Sequence, residues 1–335
     1  MFYEPYEKRR GVRRERERER RGGCAPRALL FLVKLLFKLA ILILILAVVA
    51  FALPPGLFNV EPETDLGIRA GLPDSHVNIL VLGVDADRGN GQRSDTMMIL
   101  SVGYRSLKLT SILRDTVVDI EGHGRGKING AYAYGGAELA MRTVNETFGM
   151  NISKYVLVDY LTLARLVDAV GGVDLVITEA EMEQINANNS RYAGSTFIES
   201  ELGYLPKMVT EYSVDGETPV HLDGLQALGF ARIRKLDSDF MRTSRQRRVV
   251  QAALAALRAQ IANPLVYVRL IDVLLNNVET NMNAVEIVSL GMKALVCGEL
   301  EQLRLPVDGS YTDDGSNISI DAAANAEALR AFIYG

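Results

Sequence analysis

Arginines and aspartates recur in this chain where a sheet protein usually places apolar or small residues. The densest run is Arg232-Ile233-Arg234, followed by Asp237, Asp239, Arg242 and Gln246. If the first segment is extended, alternation puts Arg232 and Arg234 on one side. Arg242 and Gln246, four apart, share one face of the helix that follows. Three arginines within eleven residues need anions. Asp237 and Asp239 can neutralise them locally. A diphosphate can also do so, because its many charged oxygens suit planar guanidinium forks acting with a divalent cation.

Four further blocks carry the same kind of side chain. The apolar run Asn78–Val84 delivers Asp85 at its end, and ligands of open α/β sheets bind beyond the C-terminal ends of strands. Arg93 and Asp95 sit just ahead of the next apolar run, so Asp85 and Asp95 can converge on a hard cation such as Mg²⁺, or Mn²⁺ in its place. Either aspartate can equally be a turn or cap residue. Arg114, followed by Asp115, ends a third apolar run, and a guanidinium at a strand end ordinarily has a planar carboxylate or phosphate partner. Lys127 and Asn129, ahead of Gly135-Gly136, add a cation and backbone amides, a weak signal taken alone.

Positioning these groups requires strands that alternate with helices. Apolar runs predict strands at Val77–Gly83, Met97–Val102, Leu107–Leu113, Tyr155–Val158 and Val173–Ile177, with a short one near Leu303–Pro306. Helical spacing appears at Glu138–Phe148, Leu161–Val170, Thr243–Ile261, Val266–Val278 and Ala284–Leu295, and again from about Asp321. The pattern predicts an α/β fold with a central mixed sheet and helices on both faces. Residues 186–213 read as a polar surface loop. The stripe Val249, Val250, Ala253 and Leu257 reads either as core or as an apolar wall for a lipid beside the arginines.

The N-terminal part has a different chemistry. Residues 1–27 hold ten Lys/Arg against five Glu, whereas Pro54 onward holds 25 Lys/Arg against 36 Asp/Glu. So acidic a main domain excludes a nucleic-acid binder that supplies its own phosphate contacts. Residues 28–53 are apolar apart from Lys34 and Lys38, long enough to span a bilayer if both lysines snorkel. The charge bias puts the N-terminus in the cytoplasm. A cleaved signal peptide is the rival reading, disfavoured by the length of the apolar run. The division expected is a basic cytoplasmic tail at 1–27, a transmembrane anchor at 28–53, a linker at 54–75 and an extracellular domain at 76–335. Cys24 and Cys297 fall on opposite sides of that membrane, so no disulfide is expected.

Taken together, NILVLGVD (78–85), RSDT (93–96), SILRDT (111–116), KINGAYAYGG (127–136), VDAVGGVDL (167–175), LDGLQALGFARIR (222–234) and RTSRQ (242–246) follow one another as in the LytR-CpsA-Psr (LCP) family. The chain resembles that family over roughly half its length. It departs from it at Leu113, where proline is usual, and between Arg234 and Arg242, where the segment is short.

The resemblance implies a membrane-bound transferase of bacterial cell walls. Its reaction moves a glycopolymer of teichoic acid or capsular polysaccharide type from undecaprenyl pyrophosphate to peptidoglycan or a similar acceptor. Carried over by position, Asp85 and Asp95 would hold Mg²⁺. Asp85, Arg114, Arg232 and Arg234 would act in catalysis, and Arg93, Lys127, Asn129, Arg242 and Gln246 would bind substrate. Two alternatives stand beside it: a polyprenyl-pyrophosphate phosphatase using water as acceptor, and a non-catalytic envelope regulator of the transcriptional attenuator type.

Overall fold

A computed structural model describes residues 34, 38, 52–59, 64–84, 93–210, 214–234 and 236–335. The chain divides into two units, Met1–Leu53 and Pro54–Gly335. Almost all of the first, including the expected basic tail and most of the expected anchor, lies outside the described residues. Among those that are described, no helix is long and apolar enough to cross a membrane.

The second unit is built on a six-stranded sheet. Its strands are β1 (His76–Val84), β2 (Thr96–Gly103), β3 (Leu107–Ile112), β6 (Lys154–Asp159), β9 (Glu279–Thr280) and β10 (Leu300–Leu305), in the order β10-β3-β2-β1-β6-β9. β1 runs antiparallel to β2 and parallel to β6, so the sheet is mixed as expected. Side chains alternate between its faces. Leu80, Leu82, Val84, Met97 and Ile99 point to one face and pack on α1 (Gly130–Phe148) and α9 (Ala322–Tyr334). Val81, Gly83 and Met98, on the opposite face, look toward α2 (Tyr160–Ala169), α5 (Gly224–Ala231) and α6 (Asp239–Ala259).

Two smaller sheets flank this core. β4 (Thr116–Ile120), β5 (Gly124–Lys127), β11 (Tyr311–Asp313) and β12 (Ile318–Ile320) form one, in the order β11-β12-β4-β5. β7 (Val173–Leu175) and β8 (Val220–Leu222) form the other. The remaining helices are α3 (Glu179–Ser190), α4 (Thr196–Leu202), α7 (Pro264–Asn277) and α8 (Ala284–Val296).

Beyond short strands the sequence did not announce, three differences from the sequence reading bear on the site. Residues 186–213, expected as a loop, contain the end of α3 and all of α4. A capping box between Thr178 and Glu181 starts α3. Its asparagines, which made the segment look like a loop, satisfy backbone groups elsewhere: Asn186 bonds to Val209 and Asn188 to the Gly229 carbonyl. Arg232 and Arg234 are not on a strand, because α5 ends at Ala231 and Arg232 caps it. In the stretch read as a linker, Phe58 and Leu66 are buried, and Asn145 donates to the Leu66 carbonyl. These two apolar side chains are part of the packed domain.

Gly224 opens α5 directly against α2, where an added Cβ would lie 2.2 Å from the Ala164 carbonyl oxygen. Gly224→Ala is therefore expected to destabilise the domain by about 1–3 kcal/mol through overpacking. Gly291→Ala, in open space on α8, should instead stabilise it by up to about 1 kcal/mol. Urea melts of the two variants check both signs.

Candidate functional site

The carboxyl ends of β1 and β6 open onto a cavity. Val81, Gly83 and Met98 form its floor, and Leu163, Leu228, Ala231 and Val250 its helical walls. Asp95, Arg232, Arg234, Arg242 and Gln246 crowd one side. An apolar slot thus ends at a cluster of charge.

Asp95 is the hub of that cluster. Its backbone nitrogen donates to the Gly83 carbonyl at 2.8 Å, fixing it beside the end of β1. One carboxylate oxygen accepts Arg114 Nη1 at 2.5 Å, and the other accepts Arg234 Nη2 at 2.5 Å. Its carbonyl oxygen accepts Arg242 Nη2 at 3.2 Å. Burial pushes the Asp95 carboxyl upward, but the Arg114 hydrogen bond and the charges of Arg234, Arg114 and Arg242 together hold it below the usual carboxylate range.

The network continues in alternating charge. Arg114 also approaches Asp115 at 3.4 Å and Asp239 at 3.6 Å, and Asp115 accepts Lys127 Nζ at 2.7 Å. Burial lowers the Arg114 guanidinium, yet Asp239, Asp95 and Asp115 more than offset it and leave it raised. Asp239 pairs with Arg242 at 2.9 Å. Asp237 instead serves Arg245, which is buried between Asp237 and Glu181.

Arg242 is the least accommodated member. Only 2% of its surface is exposed, and among the described residues Nε and Nη1 have no hydrogen-bond partner. Burial pulls its guanidinium down to about 10, with Asp239 opposing and Arg114 and Arg234 adding to the fall. It still carries its charge at neutral pH. Gln246, one turn along α6, also has a buried side-chain oxygen without a partner. Buried polar groups left unbonded cost about 1–3 kcal/mol each, more when charged. An anion entering the cavity would supply acceptors to the two unbonded Arg242 donors.

The sequence-predicted residues fall into three groups. Asp95, Arg232, Arg234, Arg242 and Gln246 line the cavity. Arg114, Lys127 and Asn129 stand behind it: Arg114 reaches it through Asp95, Lys127 through Asp115, and Asn129 lies alongside, its backbone nitrogen 3.4 Å from the Arg114 carbonyl. Arg93 is exposed and does not line the cavity, and Asp85 lies outside the described residues, although Val84 before it is a lining residue.

Tyrosines were not legible as part of the site. Arg232 lies over the ring of Tyr160, 4.3 Å from its centroid, and donates to the Tyr192 hydroxyl at 2.5 Å. Neither tyrosine stands near Arg232 in the chain, so no spacing could have linked them. The α6 stripe divides: Val249 is core, Ala253 packs beside it, and Val250 faces the cavity.

A metal site is less fully drawn. Among the described residues no group of three or more His, Cys, Asp or Glu side chains is disposed to hold a cation. Mg²⁺ commonly takes only one or two carboxylates, completing its shell with water and substrate phosphates. Asp95 supplies one, and its position beside Gly83 places it next to the strand that leads to Asp85. Among the described residues the donor set is thus one carboxylate, whose two oxygens also accept Arg114 and Arg234.

The model of the LytR_cpsA_psr family matches residues 59–331. Among curated proteins, the chain is 38% identical to the polyisoprenyl-teichoic acid–peptidoglycan teichoic acid transferase TagU of Oceanobacillus iheyensis, over 62% of this chain but only 59% of that protein. It is 28% identical to the regulatory protein MsrR of Staphylococcus aureus, over 78% and 75% of the two chains. Among solved structures, the LytR-CPS2A-psr family protein YwtF (TagT) with bound octaprenyl pyrophosphate lipid shares the fold. It matches with a TM-score of 0.54 at 19% identity, over 82% of this chain and 93% of that one. With a family match that covers both the sheet and every arginine block around the cavity, this chain belongs to the LytR_cpsA_psr family.

Proposed function

We propose that the chain is a phosphotransferase that moves a glycopolymer from a polyprenyl pyrophosphate carrier to peptidoglycan or a similar cell-wall acceptor. The observation that carries this reading is Arg242, a buried cation with two free donors at the end of an apolar slot. Diphosphate and isoprenoid together match that pairing. The name of TagU describes teichoic acid transfer to peptidoglycan, and the TagT structure holds an octaprenyl pyrophosphate lipid.

In the proposed reaction an acceptor hydroxyl attacks the glycan-proximal phosphorus. The bond from that phosphorus to the bridging oxygen breaks, and polyprenyl phosphate leaves with the bond's electrons. The hydroxyl proton passes to a carboxylate, for which Asp85, next in sequence after β1, is the candidate. Arg232, Arg234 and Arg242 would meet the charge that builds on the equatorial and bridging oxygens. Arg114, locked between Asp95, Asp115 and Asp239, would hold Asp95 and the local field in place rather than grip substrate. Tyr160 and Tyr192 would fix the plane of Arg232 before substrate arrives. That ordering is preorganisation, and it lowers the cost of binding.

Mg²⁺, or Mn²⁺ in its place, is proposed as cofactor, held by Asp95 and Asp85; when bound it would supply further positive charge beside the phosphates. Residues 28–53 are proposed as a single anchor, with the N-terminus cytoplasmic and the domain outside.

Arg232→Ala and Arg234→Ala should each lower transfer by about 10²–10³-fold, the cost of removing one group that stabilises transition-state charge. Transfer of a radiolabelled lipid-linked glycan, with products resolved from simple hydrolysis, measures this. Unchanged turnover in both variants would remove the site assignment. Stripping divalent ions with chelator should abolish transfer, and added Mg²⁺ or Mn²⁺ should restore it, with Asp95→Asn needing more metal.

Asp95 also predicts a pH effect on stability. Its carboxyl is depressed in the folded state, so its contribution is present above the ordinary carboxylate range and is lost as pH falls through its folded value. Asp95→Asn should therefore be less stable than the parent at neutral pH, and the gap should close in acid. Urea melts from neutral to strongly acidic pH test the convergence.

A further inference from the structure

Helix α8 is built inside out. Its buried side holds Glu286, Ser289, Leu290 and Lys293, two of them charged. Glu286 meets Lys154 at 2.7 Å, and Lys293 donates to Ser289. The outward side is aliphatic. Val285, Val288 and Val296 are 56%, 47% and 57% exposed, and Gly291 and Met292 between them add no charge. A surface helix ordinarily shows the reverse arrangement. Ile261 and Leu265, 51% and 60% exposed, follow soon after Arg258, which at the end of α6 donates to the Ala294 carbonyl of α8. Contiguous exposed apolar surface of this kind marks an interaction site.

The position of α8 says what covers it. Its first turn is tied to Lys154, the first residue of β6, and soon after it ends β10 begins beside Leu107, the first residue of β3. Both ends of α8 therefore lie at the end of the sheet where β1, β6 and β3 start, opposite Asp95. The chain enters the domain at that same end, since the turn Pro55–Phe58 packs on β1 and Asn59 donates to the His76 carbonyl. Leu53, the last residue of the apolar stretch 28–53, directly precedes Pro54. In the sequence, a stretch suited to lipid thus runs directly into the turn that packs on the start of β1. Protein interfaces are marked by aromatic and arginine anchors, and the outward side of α8 has neither.

We propose that the outward face of α8, with Ile261 and Leu265, rests in the lipid interface of the membrane that anchors the chain. The aliphatic side chains would enter the headgroup–acyl boundary, as amphipathic interfacial helices do to a depth of about 5–10 Å. The domain would then be held in one orientation, with the arginine cluster facing away from the bilayer. This inference rests on reading residues 28–53 as an anchor.

The chain contains no tryptophan, so single tryptophans report on depth without background. Val288→Trp, Leu46→Trp in the anchor and Ser316→Trp on the β11–β12 loop are placed in the full chain. Each is reconstituted into phosphatidylcholine–phosphatidylglycerol vesicles with and without brominated phosphatidylcholine. Bromolipid is expected to quench Val288→Trp and Leu46→Trp but not Ser316→Trp, and a charge added by Val285→Asp should weaken quenching at position 288. Quenching at Leu46 without quenching at Val288 would overturn the surface and leave the anchor standing. A blue-shifted but unquenched Val288→Trp would mean that protein, a second copy included, covers the face, and would equally overturn it. No quenching at Leu46 would end the anchor reading and this proposal with it.

Discussion

A buried guanidinium without enough partners is the constraint on which the rest of the site depends. Arg242, in the first turn of α6, is buried with two donors unbonded among the described residues. A fold tolerates that cost only where surrounding interactions hold the group in place. Here they are Asp239 one turn behind it and the Asp95 carbonyl, itself pinned to the end of β1. Because Asp95 must also accept Arg114 and Arg234, two segments far apart in the chain are locked to one carboxylate. The site is thus a structural node as well as a place for an anion.

The same node explains why arginines outnumber other cations here. Planar forks can share the two oxygens of one aspartate and still leave donors aimed into the cavity. Lysine would offer a single point charge and lose that division of labour. Lys127 accordingly stands one layer back, paired to Asp115.

The two sides of the large sheet carry different duties. The face under α1 and α9 is closed and apolar, with Leu80, Leu82 and Ile99 fully buried. The other face is only partly filled, and the cavity is the space left between β1, β2 and the helices α2, α5 and α6. On the proposed function, that looser face is where a long apolar ligand would lie. At the far end of that looser face α8 turns its charges inward and its valines outward, which makes sense only beside something other than water.

Much of this was legible in the sequence, for definite reasons. Long apolar runs such as Asn78–Val84 and Met97–Val102 fix strands because their period and length admit little else, and the arginine blocks marked the site because charge after a buried strand demands a partner. Local chemistry also set the ends of α3 and α5, through capping boxes at Thr178 and Asp223. Pairing was what the chain order could not reveal. Which group each arginine meets depends on separations of 139 residues for Asp95 with Arg234 and 40 for Arg232 with Tyr192. The asparagines of α3 passed for a loop because their bonds go to backbone groups distant in sequence, and the inverted face of α8 emerged only when Lys154 and Glu286 met. Composition and periodicity are local properties and determined the elements; Coulombic and hydrogen-bond partners are chosen through space, and only the folded sheet decided them.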